Sequence, residues 1–139
     1  MRRADDCWMP GAPTSPAWGT DIQRVGERLH IETPPEQWAF AAVFPITLTQ
    51  PIGDEEWYWV RAVLEVEEGA VSIAVVDETL TPLHDRYVHR GGEEETFIPV
   101  PPTARHVLIR NIDDNKSRSI VTVRALEMVR QPKEAAAPV

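Results

Sequence analysis

A chain of 139 residues is long enough to bury one hydrophobic core without staples and short enough to form one domain. Its 22 acidic residues against 14 basic ones give a net charge of −8, with no compensating basic stripe, which argues against nucleic acid or a membrane surface as partner. No apolar run approaches the roughly 20 residues that span a bilayer, and Cys7, the single cysteine, excludes an intrachain disulfide and a multi-cysteine metal site.

The chain opens as MRRADDCWMPGAP, two arginines with no apolar stretch behind them, so it does not read as a secretory signal. The default location is cytoplasmic, or extracellular if the chain is a fragment of a larger protein. Pro10, Pro13, Pro16, Gly11 and Gly19 predict an extended arm over residues 1–25. Trp8 and Trp18 are too apolar for a free tail, which predicts that the arm lies across the domain.

From residue 26 to residue 130 the dominant period is two, the signature of strands with one buried face. The first candidate is Arg28–Thr33, closed by Pro34 and Pro35. In QWAFAAVFPITL the even positions Trp38, Phe40, Ala42, Phe44, Ile46 and Leu48 are apolar, which predicts one strand with these six facing inward. In EEWYWVRAVLEVEEGAVSIAVVD the row Tyr58, Val60, Ala62, Leu64, Val66 is the inward one, leaving Trp57, Trp59, Arg61 and Glu65 on the other face. After a turn at Glu68–Gly69, Val71, Ile73 and Val75 suit a central strand covered on both sides.

Further candidates are Leu83–Arg90, Thr96–Val100, His106–Asn111 and Ile120–Arg130, with turn residues recurring about every ten positions. Pro45 and Pro99 fall inside apparent strands, where a missing N–H confines them to edges, bulges or ends. Residues 131–139 read as a tail or the start of a linker. The expected fold is an all-β antiparallel sandwich of about eight strands in a jelly roll.

No constellation for catalysis emerges: there is no P-loop, no dinucleotide fingerprint, no GxSxG and no HExxH. The four histidines, His30, His84, His89 and His106, lie on three predicted strands. An enzyme built on His84, Asp85 and His89 would need a bulge to bring both histidines to one face. The loop IDDNKS gathers Asp113, Asp114 and Asn115; such oxygen-rich loops hold calcium, and they also arise as Asx turns for backbone reasons alone.

The outward tryptophans are the remaining signal. A Trp ring covers the C–H face of a sugar at small entropic expense while a neighbouring Arg or carboxylate fixes its hydroxyls. Trp57, Trp59 and Arg61 have the alternation for such a platform; equally, they could lie under the arm or bury against a second protein surface.

The order RLHIETPPEQWAFAAVFPI, WYWVRAVLEVEEGAVSIAVVDE, YVHRGGEEETFIPVP and HVLIRNIDDNKSRSIVTVRALEMV resembles the jelly-roll carbohydrate-binding modules of the galactose-binding-like type over roughly residues 26–130. The resemblance implies a non-catalytic glycan-binding module, often accessory to a carbohydrate-active or sugar-modifying enzyme. It implies binding either on a sheet face, here Trp57, Trp59 and Arg61, or through loops at one end, here Arg110, Asn111, Asp113 and Asp114. It also implies a structural calcium at the Asp113–Asp114 loop as the one inorganic cofactor. The expectation is therefore a carbohydrate ligand, with docking to a protein partner or homo-oligomeric assembly as the alternative.

Overall fold

The computed structural model describes residues 2–3, 20–46, 56–115 and 117–133. They form ten strands and, among the described residues, no helix: β1 (Arg2–Arg3), β2 (Asp21–Val25), β3 (Arg28–Glu32), β4 (Phe40–Pro45), β5 (Glu56–Glu68), β6 (Ala70–Val76), β7 (Pro82–His89), β8 (Glu94–Pro99), β9 (His106–Asn111) and β10 (Ile120–Pro132). Every pairing is antiparallel. One sheet runs β2-β3-β10-β5-β8, with β1 alongside β10, and the other runs β4-β9-β6-β7.

The pairs β3–β10, β4–β9, β5–β8 and β6–β7 nest inside one another, as when a long hairpin is folded over and rolled. That is the jelly roll expected from the sequence, with eight strands from β3 to β10. No helix of the described residues is long and apolar enough to cross a membrane.

The inward rows build one core between the sheets. Val60, Ala62, Leu64 and Val66 of β5 pack with Val71, Ile73 and Val75 of β6 and with Leu126 and Met128 of β10, all fully buried. Each large aliphatic side chain removed from water contributes about 1.5–3 kcal/mol. β6 is buried at all seven positions, because its outer row Ser72, Ala74 and Val76 is covered as well. A second, smaller cluster lies on that outer face: Val43, Ala74, Val76 and Leu108, flanked by Phe40 and Leu80.

Three features depart from the sequence reading or refine it. The arm expected over residues 1–25 ends early, because Asp21–Val25 pairs with β3 across Gly26 at φ 63, a two-residue hairpin whose first turn position needs the left-handed region. Of the rest of the arm Arg2–Arg3, paired with Arg130 and Val129, and Thr20 are described; Trp8 and Trp18 lie outside the described residues. Pro45 closes β4 and Pro99 closes β8, and both strands are sheet edges, where a missing N–H leaves no ladder bond unmade.

The third departure matters most. The strand expected from residue 37 begins at Phe40, and the register against β9 slips between Phe40 and Ala42. Ala41 is thus an extra residue, and beyond it the alternation inverts. Ala42 and Phe44 face the inter-sheet core as expected, whereas Phe40 joins the outer cluster and Trp38 is 43% exposed. Leu48 lies outside the described residues.

Candidate functional site

The outer face of the four-stranded sheet has two halves. One is the apolar patch around Leu108; the other is a cross-strand row in which Phe40 of β4 faces Arg110 of β9, Arg110 faces Ser72 of β6, and Ser72 faces Tyr87 of β7. Alternation along β9 sends Val107 and Ile109 inward and Leu108 and Arg110 outward. Asp85 lies two residues before Tyr87 and therefore on the same face.

Arg110 organises this half. Its Nη2 donates to Ser72 Oγ at 3.1 Å and to Asp85 Oδ2 at 3.5 Å, and its side chain is only 13% exposed. Its Cζ lies 4.9 Å from the centre of the Trp38 ring, within the range of a cation–π contact. Trp38 and Tyr87 stand with ring centroids 6.1 Å apart and planes tilted by 58°. At 43% and 53% exposure they are two of the few large hydrophobic side chains left open to solvent.

Trp38 holds this position with φ 68, in the left-handed region that costs a residue with a Cβ about 1–2 kcal/mol. Such strain persists only where surrounding bonds dictate it. Its N–H donates to Asn111 O at 2.5 Å, and Asn111 N–H donates to Ala39 O at 3.0 Å. The residues leading into it, Pro35, Glu36 and Gln37, line a cleft of about 410 Å³ together with Asp114.

Two open rings, a charged guanidinium and a carboxylate gathered at the outer side of one sheet suit a molecule with apolar C–H faces and hydroxyls at its edges.

The residues singled out from the sequence do not gather at one place. Trp57, Trp59 and Arg61 lie on the outer face of the larger sheet, across the sandwich from Arg110. Trp57 is 47% exposed, with Lys133 Nζ 4.9 Å above its ring, whereas Trp59 is half-buried and its Nε1 has no partner among the described residues. Arg61 donates through Nε to Glu95 at 2.6 Å and through Nη1 to Glu127 at 3.0 Å. Partial burial opposes its charge, but the hydrogen bonds and charges of the two glutamates outweigh that and raise its pKa. Its donors thus serve the sheet.

Arg110 and Asn111 were expected in loops at one end. The structure corrects this: Arg110 lies on a sheet face, and Asn111 is completely buried with its amide engaged by the protein itself. Asp113 Oδ1 accepts the Asn115 N–H at 2.8 Å, an Asx turn, and Asp114 lines the cleft beside Trp38. Calcium takes six to eight oxygens, about that number in most sites. Among the described residues no group of three or more His, Cys, Asp or Glu side chains is placed to hold a metal. His84 pairs with core-facing Val75 and Asp85 with outward Ala74, so these two point to opposite faces.

The sequence reading assigns Trp38 to an inward row and does not single out Tyr87, whereas both rings are open to solvent. Tyr87 shares a row with Asp85 and His89, a polar row whose openness could have been noticed. For Trp38 the only hint was its place just behind Pro34 and Pro35, outside the strand proper.

No family model matches the chain, and no curated protein matches it. Solved structures do. A family 29 carbohydrate-binding module variant in complex with mannohexaose matches with a TM-score of 0.62 at 11% identity, over 99% of this chain and 95% of that one. A variant in complex with cellulohexaose matches with a TM-score of 0.61 at 12% identity, over 98% and 94%. The structure of PfGH50B matches with a TM-score of 0.61 at 10% identity, over 94% of this chain but 24% of that one. At such identities the likeness speaks for the fold: the chain has the β-sandwich of the carbohydrate-binding modules that its strand order resembles.

Proposed function

We propose that the protein is a non-catalytic glycan-binding module and that its ligand lies on the outer face of the four-stranded sheet, over Trp38, Tyr87 and Arg110. The observation that carries this reading is the pair of exposed, tilted rings 6.1 Å apart beside a guanidinium anchored to Asp85. The rings take the C–H faces of pyranose units; Asp85, Ser72 and Arg110 meet hydroxyls that both donate and accept. Arg110 is paired with Asp85, and Glu36 and Asp114 border the adjoining cleft, which favours a neutral glycan over a uronate. The modules of like fold that carry mannohexaose and cellulohexaose support the ligand class, and the match to part of PfGH50B supports a role accessory to a larger enzyme.

The test is titration calorimetry with mannohexaose and cellulohexaose. Binding by the wild type should fall tenfold or more in Trp38→Ala, which corresponds to about 1.4 kcal/mol or more of lost stacking. Trp57→Ala, on the opposite face, should bind as the wild type does. Absence of binding to these hexaoses and to a broad glycan array would end the reading; sensitivity to Trp57→Ala rather than Trp38→Ala would move the site to the other sheet.

A second reading rests on Trp57, exposed under Lys133 on the larger sheet: that face docks a protein partner or a second copy. A concentration-dependent shift in sedimentation, abolished by Trp57→Ala, is its expected sign.

A further inference from the structure

We infer that Asn111 is a positioning residue for the glycan platform: it clamps the segment 34–39 so that Trp38 is presented, already bent into its left-handed backbone, beside Arg110. This rests on the glycan reading of Trp38 but makes a claim that can be tested without any ligand.

The argument is one of hydrogen-bond supply. Asn111 is 0% exposed and belongs to the same strand as Arg110. Its Nδ2 shares two N–H donors among three carbonyls within hydrogen-bond distance, Pro34 at 2.9 Å, Glu36 at 3.2 Å and Ser117 at 3.1 Å, two of which lie on the approach to Trp38. Its backbone brackets the next step, the carbonyl accepting from Trp38 N–H and the N–H donating to Ala39 O. Its Oδ1 is fixed in turn by the Ser119 hydroxyl at 2.7 Å and the Asp113 N–H at 3.1 Å. One side chain thus ties β9, the segment before β4 and the segment before β10 into a single knot.

Only an amide fills this post. An aspartate would keep the acceptor but turn a second oxygen toward three carbonyls, and an alanine would withdraw the donor from all three, leaving Pro34 O to the Thr33 hydroxyl and Glu36 O to the Ala39 N–H. Preorganisation of this kind raises affinity by sparing the ligand the work of ordering the ring.

The experiment uses the full chain labelled with 5-fluorotryptophan, whose five indoles give separate fluorine signals, with the Trp38 signal assigned by its loss in Trp38→Phe. In Asn111→Ala and Asn111→Asp alike, the Trp38 signal should shift or broaden without ligand while the Trp57 and Trp59 signals stay in place. Wild-type hexaose affinity should drop tenfold or more in both. A Trp38 signal unchanged in a folded Asn111→Ala protein would overturn the inference, as would rescue by Asn111→Asp or a common shift of all the signals. Should either variant fail to fold, Ser119→Ala probes the same knot from its far side by removing the hydroxyl on Asn111 Oδ1, and an undisturbed Trp38 signal in folded Ser119→Ala would likewise overturn it. If the wild type binds no hexaose, the glycan reading falls while the fluorine signals still judge the clamp.

Discussion

At the scale of single residues, the short connection from β5 to β6 shows how tightly this fold is fitted. Gly69 alone joins the two strands, at φ 76, and a Cβ placed there would overlap Ser119 Oγ, the hydroxyl that accepts from Ala70 N–H and donates to Asn111. Gly69→Ala therefore meets both a conformational penalty and a neighbour that cannot yield. Urea unfolding should show a loss of about 2 kcal/mol or more. Gly26→Ala at φ 63, with nothing within 4 Å of the added carbon, should lose about 1 kcal/mol from backbone strain alone. Equal losses at the two glycines would refute the role given to Ser119. What the sequence could announce at this scale was residue type: a glycine between two strands, an arginine behind aliphatics, tryptophans two apart. It could not announce that Asn111 points inward to Pro34 and Glu36 or that Arg61 is spoken for by Glu95 and Glu127, because those partners lie 34 to 77 positions away in the chain.

At the scale of elements, the turn from β6 to β7 is held by one carboxylate. Asp77 Oδ1 accepts from the Thr81 N–H at 3.0 Å, the Thr79 hydroxyl at 2.8 Å and the Thr79 N–H at 2.9 Å. The Thr81 bond most, and the Thr79 bonds after it, hold the carboxyl below its ordinary value of 3.8. A lowered folded-state pKa means that the turn gains from the ionised form above pH 3.8 and loses that gain as pH falls through the depressed value. The Thr79 and Thr81 amide resonances should accordingly move in a single step below that pH, and Asp77→Asn should abolish the step; a step above it would contradict the assignment.

Strands themselves were legible, since burial of one face forces a period of two and the rows of β5, β6 and β9 could be read directly. The bulge in β4 was not. FAAVF offers two small residues side by side, so the apolar count is satisfied with or without Ala41 as an extra position, and only the register against β9 decides on which face Trp38 emerges. The face proposed to bind is thus a sheet surface, but on the sheet opposite the one that carries Trp57, Trp59 and Arg61.

At the scale of the whole molecule, nesting sets the kinetics. β3 pairs with β10 and β4 with β9, so strands at the two ends of the sandwich sequence must meet before either sheet is complete. Closing such long loops precedes most of the burial that rewards it, and folding should take milliseconds to seconds, roughly the range of β-sandwiches, rather than microseconds. Stopped-flow refolding monitored by Trp fluorescence would reveal a sub-millisecond folder and so contradict this. Charge acts at the same scale: Arg61 and Arg130 meet Glu127 and Glu56 across strands of the larger sheet, and Arg124 meets Glu93 just before β8.

The backbone bend at Trp38 carries a last implication. A polypeptide optimised only to stay folded would place glycine there, gaining ease of conformation and shedding an indole that water must wet. Retaining the bulky ring is a standing sacrifice of robustness, and laboratory evolution for heat tolerance without a ligand in the selection should erode this position before it touches the core.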